Sequence, residues 1–383
     1  MKPTSGQRLI GLDHLRAFAA LLVFSWHGLH QRGIPTTTVP NNWVSSLFEE
    51  GWVGVTLFIT ITGFVFTVLT HEKDIQYIAF LRNRVLRLFP LIFLVTLYAV
   101  TAAGASTTSL FMLFGLLGGG TVYGTWTLIV EFQFYIAYPF LKDRLVHDSY
   151  RQTIVGCGMF SLLLVILRLA CFYSLGNAQQ IGYWTIFGQG DAFLAGILAG
   201  LAFLRLKAHP PKYATKIYCV ALGLGLFVTV CVTHWMNERG GYYNQPSYPS
   251  SSILWVFWPT MIAVCWASIL APYCLLTLRA NGAIARSLAY IGAISYSTYM
   301  LHFITLGLCD RLYADWIGIR LFNSSVWNEA AILYLFHYPV TLAVSALSYE
   351  LIEKAFLKQR VPYLSARGHT TIKAGSGELA IAA

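Results

Sequence analysis

The stretch Gly11-Leu-Asp-His-Leu-Arg-Ala-Phe-Ala-Ala-Leu-Leu-Val-Phe-Ser-Trp-His27 decides the fold class of this chain. A membrane-spanning helix needs about 20 mostly apolar residues, and this stretch lies within an apolar run of that length. The same run contains Asp13, His14 and Arg16, and charged groups at membrane depth are costly unless they are paired or functional. The stretch therefore predicts a helix inside a membrane bundle, and the polar side chains of this helix are expected to be paired or functional.

The composition extends this prediction to the whole chain. Of 383 residues, 56% are apolar and 11% are charged, and the mean hydropathy is +0.60, whereas soluble domains contain about 25% charged residues. The sequence predicts an all-α, polytopic transmembrane helix bundle of about ten spans, at 12–31, 51–70, 86–104, 123–141, 153–173, 188–206, 216–235, 253–276, 288–309 and 330–351. The apolar segment 105–122 is rich in Gly and Thr and is either re-entrant or an eleventh span.

The distribution of Lys and Arg predicts the orientation. If both termini are cytoplasmic, 20 of the 26 basic residues fall at the inner side and 4 at the outer side, which is a strong positive-inside bias. The net charge of +10 is explained by this topology, so nucleic-acid binding is not expected. We expect a multi-pass protein of the inner (plasma) membrane, with a membrane domain at 1–360 and a disordered cytoplasmic tail at 361–383.

The seven cysteines and the neighbouring histidines give no sign of a metal site. The cysteine count is odd, no Cys-x-x-Cys is present, and most of the cysteines lie inside apolar segments, where they act as small apolar side chains. His30 follows His27 by three residues, but no third ligand is evident, so no metal is predicted.

Arg16 and His27 form the first candidate constellation. Eleven residues at 100° each bring them within about 20° of the same helix face, with a rise of about 16.5 Å between them. They would place a fixed cation and a titratable base along one stripe. Alternatively, Arg16 snorkels or pairs with Asp13, and His27 is a core histidine.

Two further constellations contain charge at or near membrane depth. Arg84 and Arg87 are neighbours on a helix, and paired guanidiniums suit phosphate or pyrophosphate; the alternative is ordinary positive-inside anchoring. Glu131 lies inside an apolar segment, close to Tyr135, and a buried carboxylate needs a partner. His27 and Arg16 are candidate partners, and a structural ion pair is the alternative.

Together these blocks resemble the acyltransferase-3 family of integral membrane acyltransferases. The family's Arg-x10-His pattern is matched by Arg16 and His27, and its Arg-x-x-Arg pattern by Arg84 and Arg87. Its Trp-Ser-Leu-x-x-Glu-x-x-Phe-Tyr block is matched from Trp126 to Tyr135, with Thr127 in place of Ser. Further likeness is found at 51–64, 291–302 and 350–356. The resemblance spans about residues 8–357 and is to the stand-alone type, without a fused hydrolase-like domain.

The resemblance implies an acyltransferase, an O-acetyltransferase in particular, that moves an acyl group from acyl-CoA (acetyl-CoA) to a hydroxyl of a polysaccharide or other extracytoplasmic glycan. It implies that Arg84, Arg87 and Arg16 hold the donor. His27, Glu131 and Arg16 would be catalytic. His27 would activate the acceptor hydroxyl as a base or briefly accept the acyl group itself, and Glu131 would orient His27 or raise its basicity.

The substrate-binding residues implied are Trp126, Tyr135 and His302, of which His302 is equally plausible as a core residue. The main alternative is a transporter or flippase of a glycan or lipid-linked substrate, which predicts repeated halves, but the sequence contains no evident repeat. The acceptor's identity and the oligomeric state remain open.

Overall fold

The computed structural model describes residues 9–31, 42–102, 104, 124–146, 149–243 and 247–366. The segment 105–122, whose assignment the sequence left open, lies outside the described residues. Helices dominate the described chain, and two three-residue strands form the sheet found there. The described residues therefore have the all-α architecture that the sequence predicts.

Thirteen helices are numbered here in chain order. They are α1 (Ile10–Gln31), α2 (Trp43–Glu49), α3 (Val53–Thr70), α4 (Tyr77–Thr101), α5 (Trp126–Leu145), α6 (Tyr150–Leu175), α7 (Gln179–Trp184), α8 (Ile186–Ala208), α9 (Ala214–Asn237), α10 (Leu254–Leu276), α11 (Ala283–Ala293), α12 (Ser295–Leu312) and α13 (Ser325–Leu357). The strands are β1 (Lys73–Ile75) and β2 (Leu364–Ala366).

Seven of these helices are long and apolar enough to cross a membrane: α3, α4, α6, α8, α9, α10 and α13. An eighth candidate is the pair α11 and α12, bent by 65° at the break between them. The sequence also predicts α1 and α5 as spans. They are not among the seven, because they contain polar and charged side chains such as Arg16 and Glu131. The chain is thus a multi-pass membrane protein.

Helices α3 and α8 cross closely at the centre of the bundle. A Cβ atom on Gly63 would lie 2.2 Å from the carbonyl oxygen of Phe193, and one on Gly196 would lie 2.1 Å from that of Thr60. Glycines in such positions allow helix backbones to approach in a membrane, where packing drives association. This crossing fixes α3, which contributes several side chains to the site described below.

A buried ion pair ties α6, α8 and α10 together. Arg168 Nη1 lies 2.6 Å from Asp191 Oδ2, and both side chains are almost fully buried. Arg168 Nη2 donates to Thr260, whose hydroxyl in turn donates to Asp191. Each charge is therefore both paired and hydrogen-bonded, as a charge in a low-dielectric interior requires.

Strands β1 and β2 close one end of the bundle, which we call the basic end. There α3 ends and α4 begins on either side of β1, and β2 follows α13 and pairs antiparallel with β1. Asn83 in α4 donates to the carbonyl of Val361 at 2.7 Å and accepts from its N–H at 3.1 Å. Residues 361–366 of the predicted disordered tail are therefore ordered, because α4 and β1 supply partners for their backbone; residues 367–383 lie outside the described residues.

Candidate active site

A cavity with about 740 Å³ of empty space, including the solvent at its mouth, lies between α1, α3, α4, α5 and α12. Among the described residues that line it, Arg16, Arg84 and Arg87 are the basic ones and Glu131 is the only acidic one. The other lining residues are Val55, Phe58, Ile59, Thr62, Val65, Phe66, Leu88, Thr127, Leu128, Tyr135, Ser295, Tyr296 and Tyr299. Two helices distant in sequence, α1 and α4, thus bring three guanidiniums to one compartment.

Arg84 is held in an aromatic enclosure. Its guanidinium lies 5.0 Å from the ring centroids of Phe66 and Phe80, 5.5 Å from that of Tyr135 and 5.7 Å from that of Tyr363. Nη2 donates to the Tyr363 hydroxyl at 3.1 Å. Cation–π contacts of this kind hold a guanidinium in place, so Arg84 is fixed at the cavity wall.

Arg16 and Arg87 differ in how they are paired. Arg16 Nη1 donates to Asp13 Oδ1 at 3.2 Å, the i−3 pair that the sequence offered as an alternative. Arg87 forms no hydrogen bond or ion pair with any described residue, although it lines the cavity. Arg87 is therefore the cation with the most freedom to bind an anion there.

Glu131 is bound to two hydroxyl groups. It accepts from Thr62 at 2.9 Å and from Tyr135 through a short hydrogen bond. In the described structure it has no hydrogen bond or ion pair with His27. The expectation that Glu131 orients His27 is not supported by this geometry, in which the hydroxyls of Thr62 and Tyr135 both donate to Oε1.

Tyr299 forms the boundary of the cavity on the side away from the basic end. Its hydroxyl accepts from Thr127 at 2.7 Å and donates to the carbonyl of Gly124 at 2.9 Å. Its ring centroid lies 5.7 Å from that of His302, which is not a lining residue. Tyr299 thus contacts the arginine-lined cavity on one side and a histidine pair on the other.

His27 and His302 form that pair, with ring centroids 5.0 Å apart and Phe303 4.2 Å from each. His302 Nδ1 lies 2.5 Å from the carbonyl of Tyr299, and since a carbonyl only accepts, Nδ1 is the protonated nitrogen of the neutral ring. His302 Nε2 is then an acceptor, and it is buried without a partner in the described structure. His27 makes no hydrogen bond or ion pair within the same set of residues.

The structure therefore separates two residues that share a helix stripe. Arg16 lines the cavity, whereas His27 lies beyond Tyr299 and is not a lining residue. The rise of about 16.5 Å between them puts the two side chains at different depths in the bundle.

Trp126 and Tyr135, both predicted to bind substrate, lie in different surroundings. Tyr135 lines the cavity. Trp126 packs at 4.9 Å from Tyr183 and 4.7 Å from Trp184. It belongs to a cluster at the end of the bundle opposite the strands, which we call the aromatic end and define by Trp26, Trp52, Trp126, Tyr183, Trp184, Tyr242, Tyr243 and Trp255.

Sequence reasoning gave no role to Tyr299 or His14. Tyr299 precedes His302 by three residues, a helical spacing that puts both on one face and was a usable signal. His14 contacts the Tyr273 hydroxyl at 3.0 Å and the Ala285 carbonyl at 2.8 Å, so it joins α1 to α10 and α11. Its partners are more than 250 residues away, and nothing local predicts them.

Within the described residues, no three His, Cys, Asp or Glu side chains are grouped so as to hold a metal ion. The chemistry available is that of guanidiniums, one carboxylate, phenols and an imidazole pair. Such a set can bind a phosphorylated molecule and move a proton. These features define a multi-pass membrane protein with an anion-receptive cavity next to a histidine pair.

The chain belongs to the acyltransferase family, because a family model described as "Acyltransferase domain" matches residues 9–350. It is 23% identical over 394 residues to the "Putative O-acetyltransferase" of Staphylococcus aureus strain COL, covering 93% of this chain and 58% of that protein. It is also 23% identical to the "Putative peptidoglycan O-acetyltransferase YrhL" of Bacillus subtilis strain 168, covering 91% and 55%.

A third relative is "O-acetyltransferase OatA" of Staphylococcus aureus, 23% identical over 94% of this chain and 58% of that protein. The chain thus spans a little over half the length of the curated relatives it matches. No solved structure matches it.

Proposed function

We propose that this protein is a membrane-embedded O-acyltransferase. It would transfer an acyl group, in the simplest case acetyl, from acyl-CoA to a hydroxyl of a polysaccharide or other extracytoplasmic glycan. The observation that carries the proposal is the convergence of Arg16, Arg84 and Arg87 in one cavity beside the histidine pair. The names of the relatives, one of them a peptidoglycan O-acetyltransferase, support the reaction class and a glycan acceptor.

The proposal includes a topology. Helices α1 and α5 join the eight candidates as spans, which gives about ten, with both termini in the cytoplasm and residues 1–360 as the membrane domain of an inner (plasma) membrane protein. The basic end then faces the cytoplasm, where acyl-CoA is found, and the aromatic end faces outward. This arrangement suits a donor that cannot cross a bilayer because of its phosphate charges.

In this account the arginines bind the donor. Arg84 and Arg87 hold the CoA phosphates through charge-assisted hydrogen bonds, and Arg16 steadies the donor within the cavity. Tyr135 and Glu131 also line the cavity. The thioester would reach the neighbourhood of Tyr299, which contacts His302.

His27 is the proposed general base. It takes the proton of the acceptor hydroxyl as that oxygen attacks the thioester carbonyl carbon and forms the ester bond. The carbon–sulfur bond breaks, and protonated His27 returns the proton to the CoA thiolate. His302, with Nε2 free to accept, supports the charged His27, and Trp126 lies on the acceptor side, where aromatic rings pack against sugars.

Incubation of purified protein with labelled acetyl-CoA and envelope glycan tests this function. His27→Ala should abolish transfer of the label, while His209→Ala, a change in an exposed loop outside the site, should not. Arg84→Ala and Arg87→Ala should raise the KM for acetyl-CoA. Full activity of His27→Ala would refute the mechanism, and loss of membrane insertion in the arginine variants would favour simple positive-inside anchoring.

A further inference from the structure

A segment after α13 brings a fourth arginine, Arg360, close enough to Arg84 and Arg87 for their charges to act on it. Residues 360–366, which we call the strap, cross the basic end of the bundle and terminate in β2. Val361 exchanges two hydrogen bonds with the Asn83 side chain, and the carbonyl of Tyr363 accepts from the N–H of Gln76 at 2.9 Å. Arg360 is therefore positioned by backbone contacts immediately next to it.

Tyr363 links the strap to the arginines of α4. It is buried to 5% exposure, its hydroxyl accepts from Arg84, and its ring lies 5.4 Å from that of Phe80. Asn83, the strap's other partner, immediately precedes Arg84 in α4. The strap thus contacts α4 at both Asn83 and Arg84. These contacts hold Arg360 at a fixed place relative to Arg84.

Arg360 is half-buried, and two of its guanidinium nitrogens are enclosed without an acceptor. Its Nε and Nη2 atoms have no hydrogen-bond partner in the described structure, and neither does Nε of Arg84. Burial and the nearby charges of Arg87 and Arg84 lower the pKa of Arg360 to about 9. Buried guanidinium N–H groups that lack acceptors destabilise the protein unless a ligand supplies them.

The carboxylates nearby do not supply those acceptors. Glu353 accepts from Ser297, Glu131 accepts from Thr62 and Tyr135, and Asp13 is paired with Arg16. No ion pair within 4 Å joins any carboxylate to Arg84, Arg87 or Arg360 in the described structure. Three like charges gathered without a direct counterion form a site for an anion of more than one charge.

We propose that Arg360 is a third guanidinium of a phosphate-binding cluster with Arg84 and Arg87. The inference rests on the proposed function and extends it, because it assigns part of the donor site to the strap. The ligand is the phosphorylated portion of the acyl donor, whose several phosphate oxygens suit planar guanidinium forks.

Equilibrium binding of unacylated CoA to the purified full chain tests this inference without requiring acyl transfer. Arg360→Ala should weaken CoA binding about tenfold or more, the size expected for the loss of a charge-assisted contact. Binding of pantetheine, which lacks phosphate, should not change. Arg360→Lys should lie between wild type and Arg360→Ala, because it keeps the charge and loses the fork. Lys358→Ala is the matched control, since Lys358 is an exposed cation two residues away.

The outcomes separate the two proposals. If wild-type protein does not bind CoA, the donor assignment in the proposed function fails. If wild type binds CoA and Arg360→Ala binds it as tightly as Lys358→Ala does, the proposed role of Arg360 is wrong. If the melting curve shows that Arg360→Ala does not fold, CoA binding by Arg360→Gln and Arg360→Lys is compared with that by Lys358→Ala instead.

Discussion

At the scale of residues, the His302 ring is set by its own backbone. The Tyr299 carbonyl selects the Nδ1-protonated form, and this leaves Nε2 as an acceptor facing a buried space. His27 lies alongside, with its ring centroid 5.0 Å away. A base that must become positively charged during a reaction benefits from a neighbouring acceptor, because burial otherwise opposes the charge.

His302→Ala is therefore expected to lower kcat for acyl transfer by about 10²-fold, the lower end of what general acid–base catalysis contributes. The KM for acetyl-CoA should stay near the wild-type value, because the arginine-lined cavity is left intact. Initial rates over a range of acetyl-CoA concentrations separate the two effects, with His71→Ala in an exposed turn as the control. A raised KM with unchanged kcat would instead place His302 in donor binding.

Glu49, the last residue of α2, and Glu50, which follows it, are buried carboxyl groups that the catalytic account does not use. Glu50 accepts from Trp52 Nε1 at 2.6 Å. Burial raises the pKa of Glu50 from 4.5 to about 8 and that of Glu49 to about 7. Acids with a raised folded-state pKa stabilise the fold when protonated, and this contribution is lost as pH rises through that pKa.

We expect the melting temperature of the purified protein to fall between about pH 5 and pH 8. Glu50→Gln should flatten the fall, because the amide cannot ionise. Glu72→Gln, a change to an exposed carboxyl, should leave the slope unchanged. Equal slopes for wild type and Glu50→Gln would show that Glu50 is ionised throughout this range.

At the scale of elements, the crossing of α3 and α8 fixes the site. Helix α3 brings Thr62 to Glu131 and Phe66 to Arg84, and its distance from α8 depends on Gly63 and Gly196. A methyl group at either glycine meets a backbone carbonyl, which cannot move aside as a flexible side chain does.

Gly63→Ala or Gly196→Ala should therefore destabilise the protein by about 1–3 kcal/mol, as overpacking does, and lower transferase activity as well. Gly223→Ala in α9 is the matched control, because its added methyl group has no described atom within 4 Å. Thermal unfolding in detergent measures the difference. Equal melting temperatures for the three variants would show that α3 and α8 separate at little cost.

At the scale of the whole molecule, local pattern predicted the helices well and the contacts between them poorly. The apolar runs gave the approximate position of each candidate span, because a bilayer imposes a minimum apolar length. However, α4 begins at Tyr77 and not at residue 86, and the predicted span 288–309 is broken by a 65° bend. The helical angle placed Arg16 and His27 on one stripe, but Arg16 lines the cavity whereas His27 packs against His302 of α12. That residue is more than 270 positions away from His27, and no local rule relates them.

Contacts between residues that are distant in sequence also explain the other differences between the prediction and the structure. The strap looked like a polar tail, and its order comes from β1 and Asn83, which are distant in sequence. Glu131 was expected to meet His27, yet its hydroxyl partners lie on α3 and on its own helix. Pairings of this kind depend on which helices pack together, and a single sequence does not specify that.

The most direct test of the account is an experimental structure of the protein in a membrane mimic with bound acetyl-CoA. The account predicts phosphate density against Arg84 and Arg87, with the thioester beside Tyr299 and within reach of His27. Density for the donor at the aromatic end, or a cavity left empty while the donor binds elsewhere, would contradict it.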